Sequence, residues 1–483
     1  MRRLALIDAF FLMNETRQTP MHVGGVNLFT LPEGADEQEF LSHLGNILRH
    51  EGPLRRPFGE RLKMGPLGVA GPLYWEPDTQ LDMDYHVRHS ALPKPGRYRE
   101  LFALVSRLHG TLLDRNRPLW EMHLIEGLQK RQFATYMKAH HCAIDGIGAM
   151  HLTQSMMSSR PRTRIRYSPF SVEACEAYRK KLGATKSRVH EPDAHELRAV
   201  AEVLKQQFDS SRNIAAALGR YANVWFGRGG DLSVPWHHIP RTPFNTPVSG
   251  SRRFVAQSWP FERVRAVGKA FDGTLNDAVL AMCSGALRRH LLDQDALPGE
   301  SLKAMAPVSL RAEGDVDSAN AVGFFTADLA TQIADPAERV RAIQRSMHAA
   351  KQQFAGMTRE EIALYTVLTN APLLLTAVLG LASRFPAFST VVSNVPGPRQ
   401  TMYWNGARLD GIYPASIPFH GFAMNITLVS YADKLDFGIV ACRRSVPGVQ
   451  RIIDHMEEAL VELEEAAGLR RARRGVRHAR RAG

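Results

Sequence analysis

The spacing of apolar residues divides the 483-residue chain into two patterned blocks with a less regular stretch between them. In the first block Phe10–Met13 reads as a helical apolar run, and Pro20–Gly25 as a turn leading into a strand over Val26–Phe29. Asp36–His50 places Phe40, Leu41, Leu44, Ile47 and Leu48 on one helical face. Leu73–Trp75 and Asp82–Val87 read as short strands. Arg97–Leu113 predicts an amphipathic helix with Leu101, Leu104, Val105, Leu108 and Leu112 inside. Glu121–Glu126 alternates as a strand. Phe133–Ala139, rich in aromatic, β-branched and apolar residues, predicts a buried strand, and the apolar run Ile147–Met157 predicts a helix.

From Ser158 to Gly250 the texture changes. Arg160–Arg164 is basic and broken by Pro161, Glu191–Trp225 is helical with one polar side, and the glycines and prolines between Gly227 and Pro247 predict an irregular connection. The second block opens with a strand at Arg252–Trp259 and a helix at Phe261–Ala270. Thr274 suits an N-cap, and Asp277 suits the first turn of a long helix reaching His290. Ala304–Leu310, Phe324–Leu329 and Ser389–Pro398 read as strands, and Asn425–Tyr431 with Lys434–Ala441 as a hairpin about Ala432-Asp433. Pro336–Met357 and Val446–Leu469 read as helices. Both blocks mix strands and helices without strict βαβ alternation, which predicts an α/β fold with two layers built on mixed sheets. The expected division is an N-terminal domain over 1–158, an interdomain linker over 159–250, a C-terminal domain over 251–469 and a basic tail over 470–483.

Ile362–Ser383 holds 22 residues without a charge. Asn370, Pro372, Gly380 and three threonines interrupt it, so two buried helices broken at Asn370-Ala371-Pro372 are expected rather than a membrane span. An apolar helix facing an acyl chain or lying on a bilayer is the alternative. At the N-terminus Asp8 cuts short an apolar run that imitates a signal peptide, and the segment reads as the first element of the fold.

Charge sharpens this picture in one place. The tail from Arg470 carries seven arginines and no acid, and without them the net charge of +13 falls to +6. No aromatic residue is interleaved with these arginines, which leaves a nucleic-acid role without support. A solvated tail is expected, with anionic membrane contact as the second reading. The four cysteines are scattered with no CxxC pair. That argues against a disulfide framework and a zinc site and for a reducing, cytoplasmic setting, and no metal is expected. Neither GxGxxG nor GxxxxGK[ST] occurs, which removes the common nucleotide-binding folds.

The candidate chemistry lies in His140-His141-Cys142-Ala143-Ile144-Asp145-Gly146, at the predicted turn from strand to helix. Asp145, four residues after His141, can fold back beneath the imidazole or its backbone, leaving one ring nitrogen to take a proton. Gly146 is expected to adopt a backbone angle that a side chain would forbid. Cys142 raises the question of a thiol nucleophile, but neighbours in extended chain point to opposite faces. His237-His238 lies between prolines with no acid near in sequence, and His190–His195 lacks metal-helix spacing.

Four stretches together carry a resemblance: Pro118-Leu119-Trp120, the His140–Gly146 motif, Asn276-Asp277 after Gly273-Thr274-Leu275, and Asn394-Val395-Pro396-Gly397-Pro398. Pro20-Met21-His22-Val23-Gly24 and Asn245–Gly250 add to it. In this order they resemble the bacterial wax ester synthase/diacylglycerol acyltransferase family, within the chloramphenicol acetyltransferase-like superfamily of acyl-CoA-dependent acyltransferases. HHxxxDG alone is shared with peptide-synthetase condensation domains. The resemblance implies two such domains with a channel between them. It implies fatty acyl-CoA as donor substrate, a long-chain alcohol or diacylglycerol as acceptor, and no cofactor. His141 would be the general base, with Asp145, His140 and Asn276 as further catalytic candidates and Gly146, Asp277, Ser393 and Asn394 as substrate-binding candidates. Within that set Asp145 is expected to shape the loop, by an ion pair with an arginine such as Arg311, and His140 to pack. Asn276 could serve as an oxyanion donor or as a helix-start hydrogen bond. Peripheral contact with an anionic membrane or a lipid droplet is expected from the apolar substrates and the basic tail. The competing readings are a free-standing amide-forming condensation domain and a non-catalytic lipid-surface protein.

Overall fold

In the computed structural model of the chain, residues 1–4, 6–49, 52–65, 68–183, 212–309 and 322–470 are described. The expected His190–His195 stretch, Arg311 and most of the basic tail lie outside them. The strands, in chain order, are β1 (Arg2–Arg3), β2 (His22–Thr30), β3 (Glu60–Gly65), β4 (Gly68–Pro77), β5 (Val87–Ala91), β6 (Trp120–Leu128), β7 (Gln132–His140) and β8 (Arg252–Pro260). They continue with β9 (Lys303–Ser309), β10 (Val322–Asp328), β11 (Thr390–Pro396), β12 (Tyr403–Trp404), β13 (Ala407–Ala415), β14 (Met424–Tyr431) and β15 (Lys434–Cys442).

Two six-stranded sheets organise the molecule, ordered β12-β13-β2-β7-β6-β5 and β10-β9-β11-β14-β15-β8, beside a small sheet β1-β4-β3. Both large sheets are mixed, as their sequence texture predicts: β5 runs parallel to β6, and β11 runs parallel to both β14 and β9. The first sheet packs on the helices Glu37–Leu48 and Gly146–Ser155 through Leu41, Leu44, Phe133, Ile144 and Met150. The second packs on the long helices Leu275–Leu292 and Val449–Ala466 through Val279, Met282, Leu287, Ile452, Met456 and Leu460. A third apolar cluster, with Val26, Leu28 and Ile125 from one sheet and Phe254, Ala256 and Val440 from the other, joins the two.

The sheets do not respect chain order. Residues 403–415, which follow β11, cross over, and β13 pairs antiparallel with β2 at the edge of the first sheet, with a bulge between Leu409 and Gly411. The crossing brings β13 against β15 so closely that a side chain at Gly438 would collide with the backbone of Pro414. Just there the carboxylate of Asp436, fully buried, accepts hydrogen bonds from Ile412 N–H (2.8 Å) and Ser258 Oγ (2.6 Å). Burial pushes this carboxyl up to about 6.

Three local expectations are corrected. Asp82–Val87 is not a strand: the Asp82 side chain accepts from Asp84 and Tyr85 N–H and caps a helical turn, Met83–His86, before β5 begins. Leu112 lies beyond the helix Tyr98–His109 and is exposed. The uncharged segment forms one helix, Arg359–Val378, rather than two buried ones. A Thr358–Glu361 capping box starts it. Pro372 deprives only the carbonyl of Leu368 of its partner, and both residues sit on the exposed side, where the loss is best tolerated.

Candidate functional site

Strand β7 pairs with β2 until His140 lies opposite His22, and the chain then leaves the sheet. His141 N–H donates to Met21 O (2.8 Å), which holds the first residue of the turn to the neighbouring strand. The His141 side chain is half-buried, and its ring lies on Phe11 of the helix Leu6–Asn14, with centroids 4.1 Å apart and planes 6° from parallel. Stacking on a rigid ring restricts the imidazole to one plane.

His140 faces the other way and is fully buried. Cys142 N–H donates to its Nδ1 (3.2 Å), and Cys142 Sγ lies 2.9 Å from the same nitrogen. The His140 Nε2 lies 3.4 Å from Glu15 Oε1. Glu15 in turn accepts from Met21 N–H (3.0 Å) and Arg115 (3.0 Å). Burial alone would raise the Glu15 carboxyl, but His140, Met21 N–H and Arg115 outweigh it and hold it below the usual carboxylate range. The sequence reading did not single out Glu15, which lies 125 positions from His140 with no periodic signal joining them.

Burial, with Asp8 and Glu15 nearby, pushes the Cys142 thiol well above its ordinary range. A thiol so buried supplies almost no thiolate. Asp145 shapes the turn as expected, by a local route. Its Oδ1 accepts from Gly148 N–H (2.7 Å) and caps the helix Gly146–Ser155. The expected pairing with Arg311 falls outside the described residues. Gly146 differs from expectation: it has no positive φ and opens the helix. A Cβ on it would stand 3.5 Å from Val395 of β11, an ordinary contact distance, which shows that the helix start lies close to the other sheet.

That contact brings Ser393 and Asn394 into the neighbourhood of the turn. Both are half-buried on β11. Among the described residues, strand β11 pairs with β9 only at Thr390 and Val391. The Asn276 and Asp277 pair lies on the second sheet's long helix. Asp277 closes a capping box, its Oδ2 accepting from Thr274 N–H (2.8 Å) and Oγ1 (2.7 Å). The half-buried Asn276 amide makes no hydrogen bond among the described residues, which does not match the helix-start alternative. His238, expected to lack an acid, meets Glu300 at 3.1 Å on the surface. The cavities of about 600 Å³ at Arg241 and Arg444 and about 500 Å³ at Asp231 and His348 are lined by none of the candidate catalytic or substrate-binding residues, although Thr246 and Pro247 of the Asn245–Gly250 stretch line the first.

Comparisons with known proteins agree with this arrangement. Residues 4–279 match the model of the wax ester synthase/diacylglycerol acyltransferase catalytic domain, and residues 318–464 match the C-terminal domain of the same family. The chain is 39% identical over 461 residues to O-acyltransferase WSD of Acinetobacter baylyi, covering 95% of this chain and 96% of the relative. It is 42% identical over 474 residues to a Mycobacterium tuberculosis protein named as a diacylglycerol O-acyltransferase, covering 96% and 99%. The solved wax ester synthase/diacylglycerol acyltransferase of Marinobacter aquaeolei VT8 superposes with a TM-score of 0.73 at 38% identity, over 96% of this chain and 100% of that one. The first condensation domain of the CDA synthetase, at 15% identity, 96% coverage of each chain and a TM-score of 0.56, shares the fold. With both halves matched in order and the HHxxxDG turn held at the meeting of two mixed sheets, the chain belongs to the wax ester synthase/diacylglycerol acyltransferase family and is an acyl-CoA-dependent O-acyltransferase.

Proposed function

We propose that this enzyme transfers a fatty acyl group from acyl-CoA to the hydroxyl of a long-chain alcohol, giving a wax ester, and to the free hydroxyl of diacylglycerol, giving triacylglycerol. Both substrates bind at once in a channel between the sheets, and no covalent acyl-enzyme forms. His141 takes the hydroxyl proton as the oxygen attacks the thioester carbonyl. The new C–O bond forms, the C–S bond breaks, and the leaving thiolate recovers the proton from His141. A positioned base is worth about 10²–10⁴-fold in rate. Asn276 is assigned as a donor to the oxyanion, with the capping box of Asp277 as its positioning support. Ser393, Asn394 and Gly146 line the acyl path, and Asp145 and the buried His140 fix the turn that aims His141. The enzyme works at a lipid surface, without spanning it: no helix among the described residues is long and apolar enough to cross a membrane.

The observation that carries this reading is the contrast between the two histidines. His140 is fully buried, its Nδ1 accepting from Cys142 N–H, whereas the half-buried ring of His141 is held in plane by Phe11. The test is thiol release from palmitoyl-CoA with hexadecanol and then with an amine acceptor. Ester formation that His141→Ala lowers by about 10²-fold or more, with an unchanged melting temperature, supports the proposal. Full turnover in that variant removes His141 as base. Faster turnover with the amine favours the condensation-type reading, and no thiol release with any acceptor favours a binding protein.

A further inference from the structure

The helix Arg359–Val378 is built inside out. Its buried positions include Tyr365, Thr366 and Thr369, at 5%, 5% and 6% exposure. Among the described side chains, its exposed positions beyond the first turn are Ala363, Val367, Leu368, Ala371, Pro372, Leu375 and, just past the end, Leu379, every one apolar. Val367, Leu375 and Leu379 are 57%, 64% and 66% exposed. The stripe follows the i, i+4 spacing of one helical face and runs about 24 Å at 1.5 Å per residue. An ordinary surface helix shows the reverse pattern, and an exposed apolar strip of this length marks a contact surface.

The side chains of Tyr365 and Thr369 are held by partners. Gln353 donates to Tyr365 Oη (2.9 Å), Thr369 Oγ1 donates to Tyr365 O (2.9 Å), and Trp236 Nε1 donates to Thr369 O (3.2 Å). The helix is therefore fixed in this orientation.

Its place in the fold links it to the reaction. Leu373 packs with Met305 and Val391, where β9 and β11 pair, while Ala377 and the buried Ala382 pack in the cluster that contains Ile144 and Met150 of the first sheet's lobe. The helix thus bridges both lobes, on the side where β11 meets the HHxxxDG turn. The first charge in the chain after its C-terminal end is basic, Arg384. Phe385, 54% exposed, follows the exposed Arg384, and the neighbouring helix Arg212–Trp225 ends in exposed Trp225 and Phe226, with Arg228 next. Neither Arg384 nor Arg228 has an acidic partner among the described residues. Glu360 and Glu361 stand only in the first turn, at the far end of the stripe.

We propose that this face, from Val367 to Phe385, is the enzyme's docking surface for an anionic phospholipid bilayer. The C-terminal half of the helix sinks deepest, and Arg384 and Arg228 contact lipid phosphates. The apolar stripe supplies the burial, and the arginines supply the preference for anionic headgroups. Docking there puts the lobe junction against the membrane, so that a bilayer-dissolved acceptor reaches the site without crossing water. The link to acceptor supply rests on the acyltransferase reading; the docking does not.

The test compares the full-length protein with Leu375→Glu/Leu379→Glu on phosphatidylglycerol-containing and phosphatidylcholine-only vesicles. The wild type is expected to sediment with the anionic vesicles, less so at high salt, and the double variant to lose about tenfold or more of that binding. Thiol release with a short, water-soluble alcohol stays within about twofold, while release with vesicle-borne diacylglycerol falls in parallel with binding. Should the variant unfold, slowed hydrogen exchange over 367–385 in the wild type with anionic vesicles reports the same contact. Wild type that stays in the supernatant, equal binding by the variant, or a dimer that the variant converts to monomer without altered vesicle binding overturns the proposal. Vesicle binding that the variant loses as expected, with no thiol release with either acceptor in the wild type, counts against the acyltransferase reading instead.

Discussion

The rings of Phe11 and His141 lie face to face, 4.1 Å between centroids, although 130 positions separate them in the chain. Only one face of the imidazole is covered by this contact, and the backbone of His141 is tied separately to Met21 O. Phe11 is thus a positioning residue for the proposed base. Phe11→Ala is expected to leave the turn folded and let the ring rotate out of register. A loss of about tenfold in kcat, with the KM for acyl-CoA within about twofold, is the expected split for an effect on aim rather than binding. Unchanged kcat would show that the stack does nothing for the reaction.

Beneath this pair the Arg115–Glu15–His140 chain makes an acid-sensitive support. The Glu15 carboxyl is held below its ordinary value of 4.5, so its charged form stabilises the fold. The sign follows from linkage: the stabilisation is present above the unfolded value and is lost as pH falls through the depressed one. Glu15→Gln is expected to cost about 1–3 kcal/mol at neutral pH. The melting temperatures of variant and wild type should converge in acid, once the pH falls below the depressed value. A gap that stays constant down the titration would show that the charge is not what Glu15 contributes.

Cys142 sits beside the proposed base in sequence, with its thiol turned toward His140 and buried. Cys142→Ala removes a small buried group and is expected to keep kcat within about threefold, at a stability cost of about 1 kcal/mol. Trapping by mass spectrometry after mixing with acyl-CoA should find no acylated protein. A dead alanine variant together with an acyl adduct on the wild type would replace the ternary-complex mechanism with a covalent one.

Much of this arrangement is legible in the chain because it is local. The strand ending at His140, the turn and the helix from Gly146 follow from apolar patterning and from an aspartate placed to cap. The long helix from Leu275 is legible through Thr274 and Asp277 in the same way. Strand β13 is not, since a bulge near Gly411 shifts its alternation and Pro414 suppresses the strand signal. Phe11 and Glu15 escape for a different reason. Their partners lie more than a hundred positions away, and neither stacking nor a buried ion pair leaves a period in the sequence. For the helix after Thr358 composition misled: uncharged residues suggest burial, but the fold turns Thr366 and Thr369 inward and Leu368, Leu375 and Leu379 out.

Asn276 and Asp277 are adjacent, yet their surroundings separate them. Asp277 uses its carboxylate on Thr274 and is buried, while the Asn276 amide has no hydrogen-bond partner among the described residues. Asp277→Ala should therefore act through the helix start, lowering stability by about 1 kcal/mol as the loss of a cap does. Any loss of rate should then track the loss of folded protein or be restored by Asp277→Asn, which keeps an acceptor for the Thr274 N–H. Asn276→Ala should leave the melting temperature unchanged and lower kcat by about 10²-fold, the scale of one missing oxyanion donor. Paired melting curves and initial rates with palmitoyl-CoA and hexadecanol distinguish the two. Equal falls in stability from both substitutions, with rates following stability, would make Asn276 part of the scaffold and leave the oxyanion to be held by other donors.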